Sequence, residues 1–287
     1  MKRFNAWYSS RQSALLVVIS LALTACSGGS SGPEQTAAND HHTDNEPHEV
    51  HWGYEGNEGP EHWAGLSEEF AVCGTGMAQS PIDLTNPVLA DTPTWVQQIG
   101  DNVLTEGQRA RVMDLVDNGH TIQVTNDVPM VAIVDGIEHE LVQYHFHAPS
   151  EHTIDGRHLP LEVHLVHKSA DGNLAVYGVL VEEGEHDALW EVILSALPEG
   201  PDDPRHLENL DLDTDDIRPQ PQTYYRYMGS LTTPPCSENV KWIVSAEIRD
   251  ISPDQMARIL ARLPDNNRPV QPLNGRTVEL YAPDNEG

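Results

Sequence analysis

A chain of 287 residues with 45 acidic and 16 basic side chains carries a formal charge of -29, which argues against DNA, RNA or an acidic lipid surface as a partner, because each would repel it. Apolar residues make up 38% and fall in periodic runs, so the chain is not a disordered polyelectrolyte. Only three lysines occur, Lys2, Lys168 and Lys241; heavy acidity with scarce lysine suits either a saline exterior, where counter-ions screen self-repulsion, or a solvated surface tuned for solubility.

In chain order, Lys2, Arg3 and Arg11 flank and precede the apolar run ALLVVISLALTA, too short to span a membrane as a stable helix, so residues 1–25 read as an export signal. The run ends in Leu23-Thr24-Ala25-Cys26, which resembles the bacterial lipobox and implies a lipid on Cys26, hence a periplasmic or outer-membrane-anchored protein whose one contact with the membrane is that anchor. An ordinary secretory signal cut near Ala25 is the alternative. Residues 26–48 are rich in Ser, Gly, Pro and Asp and read as a flexible tether; its His41, His42 and His48 permit loose metal capture, though linker histidines more often do nothing. If Cys26 carries lipid, Cys73 and Cys236 remain as an even pair, which an oxidising compartment can bridge or leave as two buried thiols.

Residues 49–287 show no second linker and no internal repeat, and read as one domain. Short runs alternate apolar and polar residues between Gly, Pro, Asn and Asp turns. HTIQVT is one; MVAIV and HELVQYHFHA flank Asp135-Gly136, and LEVHLVHKS and LAVYGVLVEE flank Asp171-Gly172, both hairpin signals. Helices are few. DALWEVILSAL has the helical period, and SPDQMARILARL opens with Ser252 as N-cap, Pro253 in the first turn and Gln255 in the capping-box position. The fold class that follows is mainly β with a few short surface helices.

Residues two apart on a strand share a face, so Gln143, His145 and His147 point one way while Tyr144 and Phe146 point the other. The next hairpin does the same with Glu162, His164 and Val166. Laid side by side, the two strands converge three imidazoles, each face also carrying a hydrogen-bonding residue. Three neutral nitrogens with an open fourth position form the catalytic zinc pattern, and Gln143 and Glu162 are available to accept the protons of the outer ring nitrogens.

These residues stand among HWGYEG, GPEHW, QSPIDL, NGH, QYHFH, SEHT, LEVHLVH, GSLTTPPC and NNRPVQPLNGR, in that order between His51 and Tyr281. The ordered set resembles the α-class carbonic anhydrases. The resemblance implies a single domain around a large central, mostly antiparallel twisted β-sheet. It also implies reversible hydration of carbon dioxide to bicarbonate and a proton, with one Zn2+ per domain held by His145, His147 and His164. Gln143 and Glu162 would buttress His145 and His164, and the backbone carbonyl near Asn266 would serve His147. Thr232 would accept the proton of the zinc-activated nucleophile and donate its own to an ionised Glu151. Thr233 and the backbone of Thr232 would hold bicarbonate; Val166, Val176, Leu231 and Trp242 would wall the carbon dioxide site; His120 would shuttle protons and Tyr54 would order water. Cys73 and Cys236 stand where extracellular members place their bridge, and a homodimer is left open. After HFH comes APSEH, where animal members carry Trp-Gly and a longer loop; the shorter form resembles bacterial members and leaves the cleft rim undetermined.

Two other readings differ in kind. A cupin barrel shares H-x-H-x-x-x-E, which His145, His147 and Glu151 fit, but its third histidine is distant and set among spaced glycines; here His164 follows His147 by only 17 residues. A binding module of the same family would have a broken histidine triad or lack the Thr/Glu pair, and all five residues are present.

Overall fold

The computed structural model describes residues 50–97, 113–127, 131–209 and 223–283. The leader, Cys26 and the tether with His41, His42 and His48 lie outside the described residues.

A sheet of 13 strands runs through the described residues, with a main path from Arg205–Leu207 at one edge to Val88–Ala90 at the other. Its middle is built by the two expected hairpins. Val131–Val134 pairs antiparallel with Ile137–His147 across Asp135 (φ 51°) and Gly136 (φ 78°), both left-handed, as a two-residue turn of this twist requires. Leu161–Ser169 pairs antiparallel with Leu174–Glu183, and Gly172 takes φ 87° in the connecting loop. Ile137–His147 and Leu161–Ser169 then lie side by side, His145 opposite His164 and Glu162 opposite His147. Most neighbours are antiparallel, but the sheet is mixed: Leu174–Glu183 runs parallel to Glu238–Ser245 and to Arg249–Ile251, and Glu279–Tyr281 parallel to Val88–Ala90.

Both faces of this middle are covered, which is why its central strand holds buried histidines and a buried glutamate. Tyr144, Phe146, Leu161, Val163 and Leu165 pack on one side with Trp190 and Ile193 of the helix Ala188–Ser195 and Met256 and Ile259 of the helix Pro253–Leu260. The first helix starts where Asp187 Oδ1 accepts the N–H groups of Leu189 and Trp190; the second carries the Ser252–Gln255 capping box read from its sequence. On the other side, Val176, Leu180, Tyr227, Val240 and Trp242 form a second apolar cluster beside the histidines. No helix among the described residues is long and apolar enough to cross a membrane.

Cys73 and Cys236 are joined, their Cα atoms 5.0 Å apart, against Trp63 and Phe70. The bridge spans 163 positions, and a loop that long makes the unfolded chain lose much entropy on closure. Replacing both cysteines with serine is expected to lower the unfolding free energy by about 2–5 kcal/mol. Urea denaturation checks this, and an unchanged midpoint would mean that packing alone holds the N-terminal segment.

Candidate metal centre

The rings of His145, His147 and His164 meet with centroids 4.5–5.3 Å apart, and one nitrogen from each lies within 4.8 Å of the others. Each outer nitrogen faces an oxygen: His145 Nδ1 lies 2.8 Å from Gln143 Oε1, His147 Nδ1 2.8 Å from the Asn266 carbonyl, and His164 Nε2 2.8 Å from Glu162 Oε1. Those oxygens only accept, so the hydrogen sits on the outer nitrogen of each ring and the inner one keeps a bare lone pair. His147 Nε2 is buried with no hydrogen-bond partner, a costly state for a polar atom unless a cation completes it. The donor set therefore fits a metal ion that takes nitrogen ligands.

Burial, reinforced by the other two imidazoles, holds His145 well below the usual histidine range; burial likewise lowers His147, against the pull of Glu151. Both are thus neutral at pH 7, as ligands must be. Burial also pushes His164 down, but the adjoining Glu162 carboxylate outweighs it and the net shift is upward.

Glu162 is itself fully buried. Its Oε1 meets His164 Nε2 at 2.8 Å and His152 Nδ1 at 2.7 Å, and its Oε2 accepts the N–H groups of Glu151 and His152, each at 2.8 Å. Burial alone would raise this carboxyl, yet His152 and His164 hold it well below its usual value. His152 Nε2 continues to Tyr227 Oη at 2.7 Å, which lies 2.9 Å from Ser80 Oγ. His152, Glu162 and His164 also form a compact group of metal-ligating types, but the other ring nitrogen of His152 is taken by Tyr227, so hydrogen bonding accounts for it.

Glu151 is buried above the triad. Its Oε1 accepts the Arg268 N–H at 2.8 Å; its Oε2 has no hydrogen-bond partner and lies 3.7 Å from His147 Nε2 and 3.8 Å from His164 Nδ1. The bond expected from Thr232 is therefore not made to that oxygen, although Thr232 is buried in the loop that Cys236 N–H ties to the Thr233 carbonyl at 2.9 Å. Val176 and Trp242 are buried in the second cluster with Val166 and Leu231 packed on it, and the Trp242 ring stands 4.8 Å from His164.

His120 is half-buried at the end of a turn closed on Asn118 Oδ1. Its ring stacks on Trp52 at 3.8 Å and lies 6.5 Å from His51. Burial and the His51 charge lower its pKa from 6.5, against Asp117. Burial, with the Glu151 charge, raises Tyr54 well above 10.

A family model described as eukaryotic-type carbonic anhydrase matches residues 58–282. The chain belongs to the eukaryotic-type carbonic anhydrase family. It is 40% identical over 229 residues to a carbonic anhydrase of Nostoc sp., covering 80% of this chain and 85% of that protein. It is 41% identical over 232 residues to a carbonic anhydrase of Klebsiella pneumoniae, covering 79% and 90%. Among solved structures, the α-carbonic anhydrase of Thermovibrio ammonificans in complex with the inhibitor sulfanilamide aligns with a TM-score of 0.73 at 42% identity, covering 80% of this chain and 99% of that one.

Within this carbonic anhydrase fold, the expected triad, its three outer partners and the apolar cluster come together, as do Cys73 and Cys236. Sequence reasoning missed His152, Tyr227, Ser80 and Arg268. Their place inside quoted motifs was the available signal, His152 in SEHT, Ser80 in QSPIDL and Arg268 in NNRPVQPLNGR; Tyr227 had none. Exchange of Glu162 for Gln removes a charge from four donors and is expected to cost about 3–5 kcal/mol, as breaking a buried pair does. Because the folded carboxyl lies below its usual 4.5, this contribution is present above that pH and lost as pH falls further. Denaturation of both forms at neutral pH and well below 4.5 checks it: the gap should close in acid.

Proposed function

We propose that the chain catalyses zinc-dependent reversible hydration of carbon dioxide to bicarbonate and a proton, from an exported position behind the 1–25 leader and, with Cys26 lipidated, on a membrane anchor. The observation that carries this is the convergence of three inner imidazole lone pairs whose outer nitrogens are all held by oxygens. The family membership supports the same chemistry, and the bridged cysteines are consistent with an oxidising compartment.

His145, His147 and His164 would hold the ion as neutral ligands, with Gln143, the Asn266 carbonyl and Glu162 keeping each ring in its tautomer. A zinc ion there supplies a nucleophile at neutral pH by lowering the pKa of water to about 7, a magnitude that belongs to this family's general chemistry and is not read from this structure. Val166, Val176, Leu231 and Trp242 offer a dry apolar wall to a linear, nonpolar substrate. The bare Oε2 of Glu151 is a ready acceptor for the Thr232 hydroxyl, and a threonine that donates there presents its own lone pair to the nucleophile's proton. This chain of hydrogen bonds, with Thr232 donating to Glu151, would orient the attack on carbon dioxide. Thr233 and the Thr232 backbone would hold the product anion, and Tyr54, kept protonated, would order solvent.

His120 would then carry the released proton outward. A histidine whose burial moves it down from 6.5 gives up its proton readily at neutral pH, and its imidazole can take one from the interior and pass it to solvent.

Stopped-flow hydration before and after chelation tests the whole reading. Activity is expected to vanish on stripping and return with zinc, and a folded, zinc-loaded, inactive protein would sink the proposal. His164→Ala is expected to lose zinc and activity together; a zinc-replete, active variant would refute the ligand set. His120→Ala should slow turnover at least about tenfold in weak buffer and recover when imidazole is added. Failure of imidazole to rescue it would assign proton transfer to another group.

A further inference from the structure

Arg268 is 2% exposed and among the largest fully buried side chains of the protein, yet its guanidinium bonds only neutral oxygens. Nη1 donates to Gln79 Oε1 at 2.9 Å and to the Ser80 carbonyl at 2.8 Å, Nη2 donates to the Cys73 carbonyl at 2.8 Å, and the group lies 5.6 Å from the centroid of the Trp63 ring. Burying a full charge on neutral acceptors is costly, and a well-packed apolar side chain would hold a loop at less expense. The main chain of the same residue explains why the charge is kept there. Arg268 N–H donates to Glu151 Oε1, and Glu151 is a second buried ionisable side chain whose other oxygen has no hydrogen-bond partner. Burial draws the guanidinium down to about 10, with Glu151 opposing, so it stays charged at neutral pH.

We infer that Arg268 is a positioning residue for Glu151: its side chain clamps the 73–80 segment so that its own N–H holds the carboxylate in one orientation over the triad. The chain of contacts is continuous. Gln79 Nε2 donates to the Cys236 carbonyl at 3.0 Å, and Gln79 Oε1 accepts from Arg268, so both cysteine carbonyls of the bridge meet at this clamp. From there one covalent residue leads to the Glu151 oxygen. With Oε1 fixed, Oε2 is left as the free acceptor that the mechanism needs. The clamp is thus what turns a buried carboxylate into an aimed one, and the inference rests on the role given to Glu151 above.

A purely structural arginine would lower stability without selecting for Glu151, so the test is a cycle. The zinc-loaded wild type, Arg268→Lys, Gln79→Ala, Glu151→Gln and the two double variants are compared for kcat/KM in carbon dioxide hydration, with zinc content and Tm read on the same samples. Arg268→Lys is expected to lose at least about tenfold and Gln79→Ala about threefold, with zinc retained, since small displacements at a reacting centre cost rate steeply. In the Glu151→Gln background each should cost less than about twofold, because the group they act through is already disabled. A folded, zinc-loaded Arg268→Lys with wild-type kcat/KM overturns the inference, as does an equal loss in the Glu151→Gln background. If Arg268→Lys does not fold, Gln79→Ala decides by the same two criteria. A zinc-loaded wild type without activity overturns the hydration reading itself and this inference with it, and it is seen before any variant is made.

Discussion

Everything at the centre of this molecule hangs on the carboxylate of Glu162. It is fully buried and takes four donors at once, two imidazole nitrogens and two consecutive backbone N–H groups. An ionised carboxylate survives such burial only when its lone pairs are occupied. In return it dictates three things: the tautomer of His164, the position of His152, and the path of the 151–152 backbone. Glu151 hangs from that backbone, so the orientation of one buried acid is set by another. The Tyr227 and Ser80 contacts beyond His152 extend the same network to the strand Tyr224–Ser230 and to the segment before Pro81.

The arrangement separates the two kinds of work a central strand must do. One face of Leu161–Ser169 contributes Leu161, Val163 and Leu165 to the helix-covered core, while the other contributes Glu162 and His164 to the polar network. The hydrophobic energy of the first face holds the second in place. The three metal-ligating histidines and Glu162 are carried on strands flanked on both sides by others. Groups at the rim, His120 and its stacked Trp52, are more exposed, as a group that exchanges protons with solvent must be.

What the sequence made legible follows from what local pattern can encode. Alternation over LVQYHFHA and LEVHLVHKS put the histidines on one face, the Asp-Gly turn at 135–136 fixed the first hairpin, the helical period marked DALWEVILSAL, and Ser252 marked the other helix start through cap chemistry. Laying those two strands side by side brought His145 to His164, whereas the Asn266 carbonyl behind His147 came from the resemblance, not from periodicity. His152 to Tyr227 is a contact between a loop and a strand 75 residues away, and no period reports it. Arg268 was hidden for the opposite reason: a charged residue in a Pro- and Asn-rich stretch reads as surface, and it is brought inside by Gln79 Oε1 and the carbonyls of Cys73 and Ser80. The free Oε2 of Glu151 was likewise invisible, because the resemblance implied that Thr232 already occupied it.

Asn266 carries a consequence of a different sort. Its carbonyl receives His147, its Oδ1 receives the Ala148 N–H, its Nδ2 reaches the carbonyls of His120 and Phe146, and its own N–H bonds Ala148. Every hydrogen-bonding group of this one residue is engaged, on two segments at once. The turn bearing His120 and the strand bearing His147 are therefore riveted into a single body, and neither can drift without the other. On the proposed mechanism, the length of the proton's route is set by a side chain that never carries a proton along it.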